Sequence, residues 1–134
     1  MELRELVEDY NSNQNKLNKL NKKLEMLKEY NTKITASYGH NNGGGKGSVS
    51  SKVERHALKI YETEQMRAEF QNYVDLVDVS TKVLNKKELQ VIELVKVHKN
   101  KLSKIAKELN TNKKYIFDTR NRALKKMREY INNI

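Results

Sequence analysis

The chain contains no cysteine, no proline and no tryptophan, and no long apolar run. Without cysteine it forms no disulfide and offers no thiolate to a metal ion, which fits a reducing cytoplasm. Without proline, and with little strand-like alternation, we expect an all-α fold. Because no segment reaches the roughly 20 apolar residues that span a bilayer, and the N-terminus lacks a signal-peptide core, we expect a soluble cytoplasmic protein without a membrane partner.

The length of the chain limits the number of domains, and the distribution of its charge indicates the kind of partner. A chain of 134 residues has room for one domain and an appendage. From Asn85 to the end the chain has 14 Lys/Arg and five Asp/Glu, a net charge of +9. The first 84 residues have 13 Lys/Arg and 12 Asp/Glu, a net charge of only +1. Positive charge gathered in one segment suits a long polyanion as partner. The alternative is a lysine-rich surface that serves only solubility.

Residues 1–36 repeat apolar side chains at spacings of three and four, as a coiled-coil seam does. The seam consists of Leu3, Leu6, Tyr10, Asn13, Leu17, Leu20, Leu24, Leu27, Asn31 and Ile34. Asparagine at core positions lowers stability but fixes register and oligomer number. The segment is either a coiled coil between the protomers of a homo-oligomer or a long helix packed on its own chain.

All five glycines fall within residues 37–50, among Asn and Ser, which predicts a flexible linker. The glycines lack the P-loop spacing and no strand precedes them, so a nucleotide site is not expected. Ser51 and Glu54 then have the spacing of a capping box, which predicts that a long amphipathic helix over residues 51–80 begins here.

Residues 81–134 have the pattern of a helix-turn-helix domain. Asn85 and Glu88 form a second capping-box pattern before a helix of about 12 residues. The next helix has apolar residues at i, i+3, i+4 and i+7, namely Leu102, Ile105, Ala106 and Leu109. After a polar break comes a second helix with one shared face, Ile116, Thr119, Ala123 and Met127. Two helices joined this tightly cross steeply, and the second can enter a DNA major groove.

The turn meets specific requirements of that motif. Ala106 is small where the helices cross, and Ile116 is a branched apolar anchor ten positions later. Asn110 tolerates the left-handed conformation that the turn needs, and Asn112 is a good N-cap. An ordinary helical bundle with a basic surface is the alternative.

The outward face of the last helix then carries the candidate DNA contacts. Residues near the N-terminus of a recognition helix reach base edges. The base-reading candidates are Lys113, Lys114, Phe117, Asp118 and Asn121. The phosphate-binding candidates are Lys101, Lys104, Arg120, Arg122, Lys125, Lys126 and Arg128. Phe117 has an alternative role, folding back to cover the helix pair.

Nothing in the sequence indicates catalysis. His40, His56 and His98 lie far apart without ligands at metal-binding spacing, so no metal site is expected. No Ser/His/Asp set or pair of carboxylates suggests an active site. We therefore expect neither an enzyme nor a cofactor.

The stretch 84–131 resembles region 4 of the sigma-70 family of RNA polymerase sigma factors. The resemblance rests on Leu84, Glu88, Val91, Leu94, Ile105, Ala106, Leu109, Ile116 and the run from Ala123 to Arg128. It implies that Lys113, Lys114, Phe117 and Asp118 occupy the positions that read the −35 promoter element. Their identities differ from the arginine, glutamate and glutamine often found there, so the promoter preference does not carry over.

The resemblance covers about 48 of 134 residues, and the part of sigma factors that melts the −10 element has no counterpart. The chain is similar in size and arrangement to the ArpU/RinA-type regulators of phage and prophage late genes. This implies a sequence-specific activator that binds double-stranded DNA and acts with host RNA polymerase. The alternatives are an anti-sigma-like or co-sigma-like adaptor that binds polymerase without reading DNA, and a phage terminase small subunit.

Overall fold

The computed structural model describes residues 2–38 and 46–134, with side chains for 2–30 and 51–134. Within these ranges the protein is all-α, as expected, with six helices, one 3₁₀ turn and no strand. The helices are α1 (Leu3–Glu8), α2 (Tyr10–Tyr38), α3 (Lys46–Ser80), α4 (Lys86–His98), α5 (Leu102–Glu108) and α6 (Lys113–Asn132), with the 3₁₀ turn at Thr81–Val83. None of the described helices is both long and apolar enough to cross a bilayer.

The chain divides into two compact units. Unit 1 comprises Met1–Asn15 and Gln71–Ile134, and unit 2 comprises Lys16–Phe70. The compact unit that holds the helix-turn-helix segment is therefore larger than the range 81–134 expected from the sequence. It also includes α1 and the last residues of α3.

Unit 1 has a core built from both ends of the chain. Leu3, Leu6 and Val7 of α1 are buried in the same apolar cluster as Ile92 of α4 and Ile116 of α6. Helix α1 contacts both α4 and α6. The first residues of the predicted seam thus complete the core that α4, α5 and α6 share.

Tyr10 joins the N-terminal segment of unit 1 to two other helices. Its hydroxyl donates a 2.7 Å hydrogen bond to Asp78 Oδ1 of α3, and Lys96 Nζ of α4 lies 4.0 Å from the centroid of its ring. Burial, followed by the hydrogen bond to Asp78 and nearby carboxylates, raises the pKa of Tyr10 to about 12. The hydroxyl therefore remains a donor at neutral pH.

Unit 2 is a pair of helical segments from α2 and α3. Leu17 and Leu24 of the predicted seam are buried, as are His56 and Thr63 of α3. His56 Nε2 lies 2.6 Å from the carbonyl oxygen of Leu27, which can only accept, so Nε2 donates. Leu17 and Leu24 are thus buried by residues of their own chain.

The predicted linker and helix start differ from the structure. Residues 37–38 of the predicted linker belong to α2 and 46–50 to α3, whereas 39–45 lie outside the described residues. Ser51 therefore lies inside a helix, and its carbonyl oxygen accepts a 3.2 Å hydrogen bond from Arg55 Nε. The prediction that Ser51 and Glu54 cap a helix start is wrong, because a local pattern does not show whether earlier residues are already helical.

The docking of α1 predicts that Leu6→Ala destabilises the core that α1 shares with α4, α5 and α6. Removing a buried leucine side chain costs about 2–5 kcal/mol, and Leu6 is 5% exposed in the shared core. Amide hydrogen exchange of α4–α6 in the full chain should accelerate accordingly. Met26→Ala, at a side chain that is 71% exposed, is the control and should leave this exchange unchanged. Unaltered protection in Leu6→Ala would show that α1 is not part of this core.

Candidate nucleic-acid interface

Helix α4 begins at the predicted capping box, which the structure confirms. Asn85 Oδ1 accepts from the backbone N–H of Glu88 at 2.9 Å, and the backbone N–H of Asn85 donates to Glu88 Oε1 at 3.0 Å. The helix then contributes Val91, Ile92 and Val95 to the core. It forms the support against which α5 and α6 pack.

The turn between α5 and α6 has the predicted chemistry. Asn110 adopts a left-handed conformation with φ 52°, and the N–H of Thr111 donates to the carbonyl of Ala106 at 2.9 Å. This six-to-one bond closes the end of α5 as a Schellman motif does. Asn112 Oδ1 then accepts from the N–H of Tyr115 at 2.8 Å and caps α6. The roles predicted for Asn110 and Asn112 are confirmed.

Helix α6 has one buried and one open face. Ile116, Thr119, Ala123 and Met127 are all buried, as predicted. On the opposite side, exposed residues recur at i, i+4, i+7 and i+11, positions that share one helix face. They are Lys114, Asp118, Asn121 and Lys125.

All five base-reading candidates are exposed on α6. They are Lys113, Lys114, Phe117, Asp118 and Asn121. The ring of Phe117 is 46% exposed and lies 5.2 Å from the guanidinium carbon of Arg120. Phe117 thus remains at the surface and does not fold back to cover the helix pair.

Five of the seven phosphate-binding candidates are exposed: Lys101, Lys104, Arg122, Lys125 and Arg128. The prediction that Arg120 is an exposed phosphate-binding residue differs from the structure. Arg120 is buried, and its Nη1 donates to Asn100 Oδ1 at 2.9 Å. Burial, and then the nearby charge of Arg4, lowers the pKa of this guanidinium. Arg120 therefore ties α6 to the turn between α4 and α5 and is not available to a phosphate.

Lys126 is the second candidate with an internal partner. Its Nζ lies 2.8 Å from Oε1 of Glu88, a carboxylate that is fully buried. Burial opposes ionisation of Glu88, but the hydrogen bonds from Lys126 and from the Asn85 backbone, with the charge of Arg122, outweigh it and lower the pKa. Lys126 therefore neutralises a buried carboxylate inside the domain.

The sequence pattern missed Tyr115 and the role of His98. Tyr115 lies in the first turn of α6 with its side chain 38% exposed, beside the base-reading candidates. Its position near the N-terminus of α6, the predicted recognition helix, was the signal that would have included it. His98 Nε2 lies 2.7 Å from Glu108 Oε1, so this contact connects α4 to α5. His40 lies outside the described residues.

The two neighbouring lysines of α6 should differ in their effect on stability. We expect Lys126→Ala to lower the free energy of unfolding by roughly 1–2 kcal/mol. This is less than the about 3–5 kcal/mol lost when a fully buried pair is broken, because the Lys126 side chain is 42% exposed. Lys125→Ala, at an exposed position, is the matched control and should change it by less than about 0.5 kcal/mol.

The difference between these variants should depend on pH, which urea unfolding across a pH series can measure. Because Glu88 has a lowered pKa when folded, its ion pair stabilises fully above the ordinary glutamate pKa of about 4.3. The stabilisation is lost as the pH falls through the lowered value. Equal stabilities of the two variants at neutral pH would contradict the pairing.

No protein-family model, no curated protein and no solved structure matches this chain.

Proposed function

We propose that this protein binds double-stranded DNA sequence-specifically through α6 and regulates transcription. The observation that carries the proposal is the open polar face of α6, which lies opposite a buried stripe and follows helix α5, packed against α6, at a left-handed turn. This arrangement is typical of helix-turn-helix recognition, in which the second helix lies in the major groove. The basic charge of the segment favours a polyanionic partner.

The side chains at the N-terminal half of α6 have the chemistry to read bases. Lys113 and Lys114 can donate to guanine O6 and N7, and Asp118 can accept from cytosine N4. Asn121 suits adenine, and the exposed ring of Phe117 suits a thymine methyl group. These five side chains offer different contacts to different base pairs, which is what sequence discrimination requires.

The exposed cations farther along the domain serve a different purpose. Arg122, Lys125 and Arg128 continue along α6, and Lys101 and Lys104 lie at the start of α5. Contacts to phosphates fix the position of a protein on the duplex without reading its sequence. We assign these residues to the backbone, and Tyr115 to the edge of the base-reading set.

The regulatory part of the proposal rests on the resemblance to sigma-70 region 4. Because that resemblance includes no part that melts promoter DNA, the chain would need host RNA polymerase to start transcription. We therefore propose an activator of phage or prophage late genes that places polymerase at its promoters.

One observation favours an adaptor that binds polymerase without reading DNA. Unit 1 has an apolar concavity of about 550 Å³ between α4 and α5, lined in part by Leu89, Leu94 and Leu109. A helix of another protein would suit such a surface. Co-purification with polymerase, together with no preference among DNA sequences, would favour this second candidate.

Affinity for DNA should fall steeply with salt. Five exposed cations are assigned to phosphates, and each contact contributes about −0.9 to the slope of log affinity against log salt concentration. We expect a slope of about −4 or steeper for the full chain on duplex DNA from its own promoter region. A flat response in a titration series would refute the electrostatic assignment.

Base-reading and backbone contacts should respond differently to substitution. Lys113→Ala or Asp118→Ala should change the preferred sequence, by about 1–3 kcal/mol at the affected base pair. Lys125→Ala should weaken binding to all sequences alike. Selection from a randomised duplex library, followed by affinity measurement, separates the two effects. Uniform weakening by all three variants would contradict the placement of α6 in the major groove.

A further inference from the structure

Unit 2 is basic, although the first 84 residues are nearly neutral as a whole. Residues 16–70 hold 11 Lys/Arg and six Asp/Glu, a balance of +5. The other residues before Asn85 belong to unit 1 and hold two Lys/Arg and six Asp/Glu, a net charge of −4. Unit 2 is therefore positively charged, although its charge is nearly cancelled when all of the first 84 residues are counted together.

Part of this charge surrounds a concavity in unit 2. Lys52, Arg55, His56 and Lys59 occur at i, i+3, i+4 and i+7 of α3, so they share one helix face. With Tyr30 of α2 they line a concavity of about 260 Å³, which we call the basic concavity. This volume is below the 300–1,000 Å³, roughly, of sites that enclose a whole small molecule. It suits one charged group presented by a larger ligand.

The floor of the basic concavity is held in place by two contacts. His56 is buried, its Nε2 bonded to the Leu27 carbonyl at 2.6 Å. The ring of Tyr30 meets the ring of His56 edge-on, with 4.9 Å between centroids. The tyrosine is nevertheless 56% exposed, so it forms a wall that a ligand can touch.

The three cations at the rim have no acidic partner in the part of the chain that the structure describes. Lys52, Arg55 and Lys59 are exposed and form no ion pair there. Pairing between the same two helices does occur nearby, where Lys28 Nζ lies 3.4 Å from Glu64 Oε1. Like charges one turn apart on a helix repel and destabilise it. Their grouping around a concavity thus has a cost to the fold that an anionic ligand would offset.

We propose that the basic concavity binds a backbone phosphate of duplex DNA, as a second DNA contact that is separate from α6. The contact extends the proposed DNA binding but does not depend on base reading by α6. It recognises charge alone and is therefore independent of sequence.

The first test compares two triple variants of the full chain that remove equal charge from unit 2. One carries Lys52→Gln, Arg55→Gln and Lys59→Gln. The other carries Lys19→Gln, Lys22→Gln and Lys23→Gln, at exposed positions outside the concavity. On random-sequence duplex, the concavity variant should make the salt slope shallower by about 0.9, the contribution of one neutralised phosphate, and the control should leave the slope unchanged. Equal changes in both would overturn the proposal.

The second test uses the absence of tryptophan in the chain. Tyr30→Trp places a single tryptophan at the concavity, and its emission should change on addition of random-sequence duplex at low salt. It should stay constant with inorganic phosphate at an equal concentration of phosphate groups. A response to inorganic phosphate as strong as that to duplex would overturn the proposal in favour of a site for small anions, and silence towards both would also overturn it.

A third variant separates this inference from the proposed function of α6. Lys113→Gln and Lys114→Gln together should change the preferred sequence while the Tyr30→Trp reporter still responds to random duplex. If the α6 variant keeps its sequence preference, the proposed function fails and the concavity still stands. If the reporter is silent while wild-type α6 discriminates sequences, the concavity fails alone.

Discussion

Burial of one stripe of α6 is the constraint on which the proposed interface depends. Ile116 and Met127 are fully buried, and each such side chain stabilises the fold by about 1.5–3 kcal/mol. A helix anchored in this way cannot rotate about its axis without exposing them, so its opposite face must remain open. The left-handed residue at Asn110 sets the direction in which α6 leaves α5. The apolar contacts of the buried stripe and the turn at Asn110 therefore determine which side chains of α6 are exposed.

The core behind that stripe needs the other end of the chain. Val7 of α1 is fully buried beside residues of α4 and α6, and the hydroxyl of Tyr10 is bonded to Asp78. A 50-residue segment buries little apolar surface by itself, so additional helices stabilise it disproportionately. The same arrangement changes the meaning of the charge pattern. The acidic residues near the N-terminus belong to unit 1, together with the basic segment from α4 to α6, and unit 2 retains a positive balance of its own.

The features that the sequence predicted well are those determined within one or two turns of helix. The stripe from Ile116 to Met127, the turn at Asn110 and the cap at Asn112 all depend on neighbours along the chain, and the structure agrees with them. Features that depend on distant partners were missed. Arg120 lies four residues after Ile116 and three before Ala123, so its spacing places it on the buried face, but its charge favoured an exposed position. The partner that accommodates it there, Asn100, lies 20 positions away in the sequence. The same applies to Lys126, whose partner Glu88 lies 38 positions away.

The charge in the first turn of α6 also favours an anionic partner. The N-terminus of a helix carries a partial positive charge, and each cation placed there destabilises it by about 0.3–1 kcal/mol. Helices α4 and α6 both begin with two lysines, but α4 also has Glu88 in its first turn, whereas α6, with Lys113 and Lys114, has no acidic residue there. Neither lysine forms an ion pair in the described part of the chain that would compensate. Local conflicts of this kind are expected where a residue serves a partner and not the fold. A phosphate or base edge at this helix end would meet both lysine charges and the free N–H groups of the helix, which converts the local cost into binding energy.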